Sequence, residues 1–170
     1  MKDQKQKRDP IPKPLMAEVL PRTKLSQWLE YHVRKKVNEH REACINDHLE
    51  SERAAAEVAM HFDVADHITI RQVTAMNQKV EVRECMLKRY KNYPAEFSYR
   101  CKCIVVFQNL DGVDVLLFAL YVYEHGLDNK APNKRVAYVS YLDRVHFMRP
   151  RKLRTFVYHE ILIAYLDYAR

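Results

Sequence analysis

The sequence predicts an α/β (α+β) domain in which a mixed central sheet carries a helix at each end of the domain. Three observations predict it. A helical apolar stripe opens the ordered part of the chain, residues alternate through its middle, and a strongly apolar helical run closes it. At 170 residues, with 48% hydrophobic and 30% charged residues, the chain suits one domain able to bury a sizeable core.

Residues 1–19 combine Lys2, Lys5, Lys7, Arg8 and Lys13 with Pro10, Pro12 and Pro14. Such a segment cannot bury enough surface to order itself and is expected to be a flexible basic arm. Two readings stand for it: a solvated linker, which composition favours, or a nuclear-import or chromatin-contact segment. The domain itself is expected over residues 20–170.

Thr23 is placed to cap a helix whose stripe is Leu25, Trp28, Leu29, Val33 and Val37. Helical composition continues through Cys44, Ile45 and Leu49 to about Met60. From His67 the period changes. Ile68 with Ile70, and Val80 with Val82, predict two short strands. Phe97 to Gln108 places Phe97, Tyr99, Cys101, Cys103, Val105 and Phe107 on one strand face. After Asp111-Gly112, Val113 to Tyr123 is apolar on both faces apart from Asp114, which predicts a central strand covered above and below. Val136 to Leu142 follows as a strand, and Leu153 to about Tyr168 as a largely buried helix.

Composition excludes several function classes. Two glycines leave no glycine-rich phosphate loop, so dinucleotide and P-loop folds are ruled out. A net charge of +7 and pI near 9.2 suit a polyanionic neighbour or a phosphorylated cofactor. The four cysteines and the absence of a signal peptide predict reduced thiols in an intracellular, soluble chain. Cys101-x-Cys103 lacks two further zinc ligands and reads as core, so no metal site is assigned. His159-Glu160 fails the H-E-x-x-H pattern because Ile163 stands where the second histidine belongs. His159 is therefore read as a packed helix residue with a hydrogen-bonded ring. The aromatic residues fall mostly in strands or the closing helix, where packing explains them and nucleic-acid stacking does not.

The loop before the closing helix holds Arg144, Arg149, Arg151, Lys152 and Arg154. It leads Arg154 and Thr155 into a helix start, where backbone donors and the helix dipole favour an anion. On spacing alone, Arg154 reads as a surface arginine and Thr155 as a cap.

The runs S-Y-L-D-x-V-H-F-x-R-P (Ser140 to Pro150) and L-R-T-x-V-Y-H-E-I-L-I-x-Y-L-x-Y (Leu153 to Tyr168) carry a resemblance. They are similar to the acetyl-CoA-binding segment of histone acetyltransferases of the CREB-binding-protein (CBP) class. Leu20-Pro21 through Leu29-Glu30, Tyr99-Arg100, the Leu110 to Val115 turn, Tyr121-Val122, Glu124 and Pro132-Asn133 extend it over roughly residues 20–170. The resemblance covers the N-terminal half of the family's catalytic domain, so it implies a domain incomplete at its C-terminus.

The resemblance implies a protein-lysine acetyltransferase using acetyl-CoA as co-substrate in the nucleus. It implies histones, other nuclear proteins and transcription factors as partners, and a role in coactivating transcription. It implies that Leu142, Asp143, Arg154 and Thr155 contact the cofactor, Arg154 on phosphate and the others along the pantetheine arm. Arg144 stands where the family carries serine. Its long side chain either adds a phosphate contact or obstructs the pocket. The family's general-acid tyrosine lies in the half that the resemblance does not cover, so no catalytic residue is assigned. The alternative implied is a catalytically inactive truncated acetyltransferase serving as a chromatin or transcription-factor interaction module.

Overall fold

The computed structural model describes residues 16–47 and 67–170. Helix α1 spans Lys24–Asp47, strand β1 Ile68–Glu81, helix α2 Glu84–Arg89, and strand β2 Glu96–Leu110. Strand β3 (Val113–Glu124), strand β4 (Ala137–Arg144) and helix α3 (Arg154–Ala169) complete the order. The strands form one sheet in the order β1-β2-β3-β4, antiparallel at every pairing. The α+β class and the two flanking helices hold, while the sheet expected to be mixed is wholly antiparallel.

Helix α1 begins where expected. The Ser26 N–H donates to Thr23 Oγ1 at 3.1 Å, and the Thr23 N–H returns a bond to Ser26 Oγ at 2.9 Å. This reciprocal cap satisfies donors that a helix start otherwise leaves open. Leu25, Leu29, Val33 and Val37 are buried. Trp28 stays 39% exposed because it lies at the margin of the stripe, where its indole N–H donates to the Ala164 carbonyl of α3. The helical run expected from residue 48 to Met60 lies outside the described residues.

One long strand replaces the two short ones expected around Ile68 and Val80. A bulge between Gln72 and Thr74 resets the register inside it, which is why the alternation reads as two separate patterns. Asp111 (φ 53°) and Gly112 (φ 82°) give the left-handed pair that joins β2 to β3 in a tight hairpin. A second bulge places Leu117 and Phe118 consecutively against the core.

Both helices lie on one face of the sheet. Ile68, Ile70, Ile104, Val106, Phe118, Leu120 and Val122 meet Leu29, Val33, Val157, Ile161 and Tyr165 in a single core. Helix α3 is less enclosed than expected: Ile163 and Leu166 are exposed. His159 is also exposed and has no partner among the described residues, contrary to the packed role expected of it; its neighbour Glu160 pairs instead with His32 of α1 at 2.8 Å.

The opposite face breaks the expectation that β3 is covered on both sides. Tyr121, Tyr138 and Tyr141 stand 37%, 58% and 54% exposed there. Tyr121 pairs with Tyr141 and Tyr123 with Tyr138 across the strands. The aromatic residues are therefore only partly absorbed by packing. Cys103 is buried and Cys101 half-buried on this same face.

Among the described residues, the hairpin end of that face is covered by residues assigned in sequence to the flexible arm. Met16 to Val19 fold onto the sheet, with Ala17 buried in a short 3₁₀ turn. The Ala17 N–H donates to the Asp114 carboxylate at 2.6 Å, and Arg71 donates to the Leu20 carbonyl at 3.1 Å. These long-range bonds order a segment whose composition alone would not.

Candidate cofactor site

The sequence-predicted residues gather where β4 ends and α3 begins. Strand β4 runs on through Arg144, so Leu142, Asp143 and Arg144 are its last three residues and form no turn. Strand alternation then divides them. Arg144 pairs with Phe118 and Leu142 with Leu120, which puts both on the helix-bearing side. Asp143 points to the other face, where its carboxylate accepts from the Tyr141 hydroxyl at 3.2 Å. Its second oxygen accepts from the Arg144 N–H at 2.7 Å. That nearby negative charge raises the Tyr141 phenol above its ordinary value.

Arg154 opens α3 after a 3₁₀ turn over Arg151–Leu153. Its own N–H is already used on the Arg151 carbonyl, and the Leu153 N–H reaches the Pro150 carbonyl at 3.1 Å. The amides expected to greet an anion at Arg154 thus move one turn earlier, and the side chain becomes the main donor. The Arg154 Nε is buried and without a hydrogen-bond partner. A buried cationic donor with no acceptor is costly unless a ligand supplies one. Thr155, beside it, is exposed.

Arg144 and Arg154 sit on the two elements that meet at Tyr158: Phe118, the cross-strand partner of Arg144, stacks on its ring, and Arg154 lies one helical turn before it. Both guanidiniums bear electrostatically on the hydroxyl of Tyr158 and favour its ionised form, although burial outweighs them and leaves that phenol above its usual value. Of the five basic residues flanking this corner, Arg149 is ion-paired, to Asp111 at 3.0 Å. Among the described residues Arg144 and Arg154 have no carboxylate partner. Two unneutralised guanidiniums at one place are complementary to a phosphate or pyrophosphate. Tyr158 carried no signal of its own in the sequence, because a tyrosine inside an apolar helix is indistinguishable from core.

A large cleft lies elsewhere. It measures about 1160 Å³ and is bordered by Arg100, Lys102, Glu124, His125, Arg135 and the end of α3. From Phe118 opposite Arg144 to Glu124 opposite Ala137, β3 advances six residues, or about 20 Å. Polar groups of the cleft are engaged within it at two places. Lys102 lies 2.7 Å from Glu124, which also accepts from Tyr165 at 2.8 Å, and Arg135 donates to the Arg170 carbonyl at 3.1 Å. Size favours the cleft, but the buried donor without an acceptor, Arg154 Nε, lies at the Arg144–Arg154 corner and favours it for a phosphorylated ligand.

Comparison with known proteins identifies the family. Residues 45–170 match the family described as the histone acetyltransferase domain KAT3. Histone acetyltransferase HAC4 of Arabidopsis thaliana is 42% identical over 165 residues, covering 91% of this chain and 11% of its own length. Histone acetyltransferase HAC1 of the same plant is 39% identical over 177 residues, covering 96% of the chain and 10% of its own length. Protein cbp-1 of Caenorhabditis elegans is 44% identical over 106 residues, which is 61% of the chain and 5% of that protein. The chain spans about a tenth of the length of the curated plant relatives it matches. With its four-stranded sheet, its two packed helices and this match over most of its length, the chain belongs to the KAT3, or CBP-type, family of histone acetyltransferase domains.

Proposed function

We propose that this chain is the cofactor-holding part of a protein-lysine acetyltransferase and binds the phosphate-bearing end of acetyl-CoA between β4 and α3. The observation that carries the reading is the buried, unpartnered Nε of Arg154 at the start of α3. Arg154 forms charge-assisted bonds to phosphate, and Arg144, in place of the family's serine, adds a second cation. Leu142 and Thr155 border the path of the pantetheine arm. Asp143, tied to Tyr141 on the other face, accepts from an amide or hydroxyl of that arm where it passes the strand end.

Bound acetyl-CoA supplies an acetyl thioester, and the acceptor is a lysine amine of a histone or another nuclear protein. Coactivation of transcription in the nucleus follows from the same reading. The residues described here bind and orient; none is assigned as a general acid or base. Calorimetric titration with coenzyme A tests the reading. Arg154→Ala is expected to weaken binding by about ten- to a hundredfold, the worth of one charge-assisted bond. Equal binding by wild type and Arg154→Ala would remove the site from this corner.

A second reading rests on the exposed stripe of Tyr121, Tyr138 and Tyr141. Here the chain is a catalytically inactive interaction module that captures a chromatin or transcription-factor partner. It predicts capture without acetyl transfer, unchanged by Arg154→Ala. Transfer of label from acetyl-CoA to histone tails would exclude it.

A further inference from the structure

The hydroxyl of Tyr158 touches both walls of the corner. It lies 3.2 Å from the Leu117 carbonyl and 3.1 Å from the Val145 carbonyl. The Val145 N–H also donates to the Leu117 carbonyl, at 2.9 Å. Leu117 is the extra residue of the β3 bulge, left between the pairs Val106–Phe118 and Phe107–Leu116. Val145 directly follows Arg144 at the strand exit. One phenolic proton shared by two carbonyls thus ties the bulge to the end of β4.

The ring makes the same connection in another way. It stacks on Phe118 with centroids 5.1 Å apart, and Phe118 is the cross-strand partner of Arg144. Arg154 lies four residues before Tyr158, one helical turn away on the same side of α3. Tyr158 is 4% exposed, so neither contact is relaxed by water. The backbones that carry the two arginines are therefore joined through this single side chain.

We propose that Tyr158 is a positioning residue for the coenzyme A phosphates: its hydroxyl fixes the spacing of β4 and α3 so that Arg144 and Arg154 meet one anion. This rests on the phosphate-binding reading of those arginines given above. A tyrosine that merely filled the core would affect stability alone. A positioning tyrosine must also affect affinity in molecules that are already folded.

The test uses the full chain, with coenzyme A and inorganic pyrophosphate as probes, well below the unfolding temperature. Tyr158→Phe keeps the ring and its stacking but loses the hydroxyl. Its affinity for both probes is expected to fall about tenfold, the worth of one net hydrogen bond. Affinity equal to wild type, with Arg154→Ala still weakened, overturns this inference and leaves the site in place. If wild type and Arg154→Ala bind alike, or neither binds, the site itself fails and this inference falls with it.

A second measurement needs no variant. By reciprocity, an anion that depends on this tie must strengthen it. Saturating coenzyme A is expected to slow hydrogen exchange at the Val145 amide about tenfold in the wild-type chain. An unchanged Val145 rate in the bound state refutes the coupling.

Discussion

Arg71 shows how a single charged side chain can be held inside this fold. It is 4% exposed and pairs with Glu30 of α1, whose carboxylate also accepts the Ile70 N–H at 2.9 Å. Removing one member of such a pair strands the other in a poorly solvated place. Glu30→Ala is expected to cost about 3–5 kcal/mol, read as a lowered denaturation midpoint. Tyr165 gives a pH-dependent case. Burial, then the charge of Glu124 and the hydrogen bond to it, raise its phenol far above the ordinary value. A group whose proton is held more tightly in the fold stabilises fully below the unfolded pKa, near 10, and loses that contribution as pH rises beyond it. Stability is therefore expected to fall above about pH 10, and Tyr165→Phe to flatten that fall in urea titrations run from pH 8 to 11. At the cofactor corner, Arg144→Ser separates the two readings left open in sequence. Weaker binding of coenzyme A is the outcome expected from its place with Arg154 on the two elements that meet at Tyr158, and tighter binding would mark it as an obstruction. Neither that meeting nor the role of Arg71 was legible in sequence, since both depend on residues far apart in the chain.

Helices α1 and α3 were legible as elements because each keeps a helical period over several turns. Their mutual packing was not, for it rests on contacts such as Trp28 Nε1 to the Ala164 carbonyl at 2.9 Å and His32 to Glu160 at 2.8 Å. Leu29 is fully buried within this layer. Leu29→Ala is expected to destabilise the domain by about 2–5 kcal/mol through lost transfer energy and a residual cavity, measurable by thermal unfolding. The hairpin of β2 and β3 was legible for a different reason: Asp111-Gly112 supplies left-handed backbone between two apolar runs. Strand β1 was misread as two pieces because its bulge inverts the alternation midway. The end of β4 was missed because Asp143 and Arg144 look like loop residues until their pairing with Ala119 and Phe118 is seen.

At the scale of the whole molecule, the described residues cover one side of the sheet with helices and leave a tyrosine stripe open on the other. The apolar content of β3 led to the expectation of cover on both faces, and the exposed Tyr121 and Leu116 overturn it. Exposed aromatic area of this kind promotes association. Sedimentation of the chain is expected to show weight rising with concentration, and the paired change Tyr138→Lys with Tyr141→Glu to suppress that rise. The two borders of the sheet also differ. On β1, the Ile70 amide is engaged by Glu30 and the neighbouring Arg71 reaches back to Leu20. Along β4, Tyr138, Val139, Tyr141 and Leu142 lie open, with no charged residue from Ala137 to Leu142. The fold consequently has a direction in which it can grow: a newly added strand would find its template beside β4, whereas the β1 flank offers a carboxylate and a guanidinium where a ladder would need bare peptide groups.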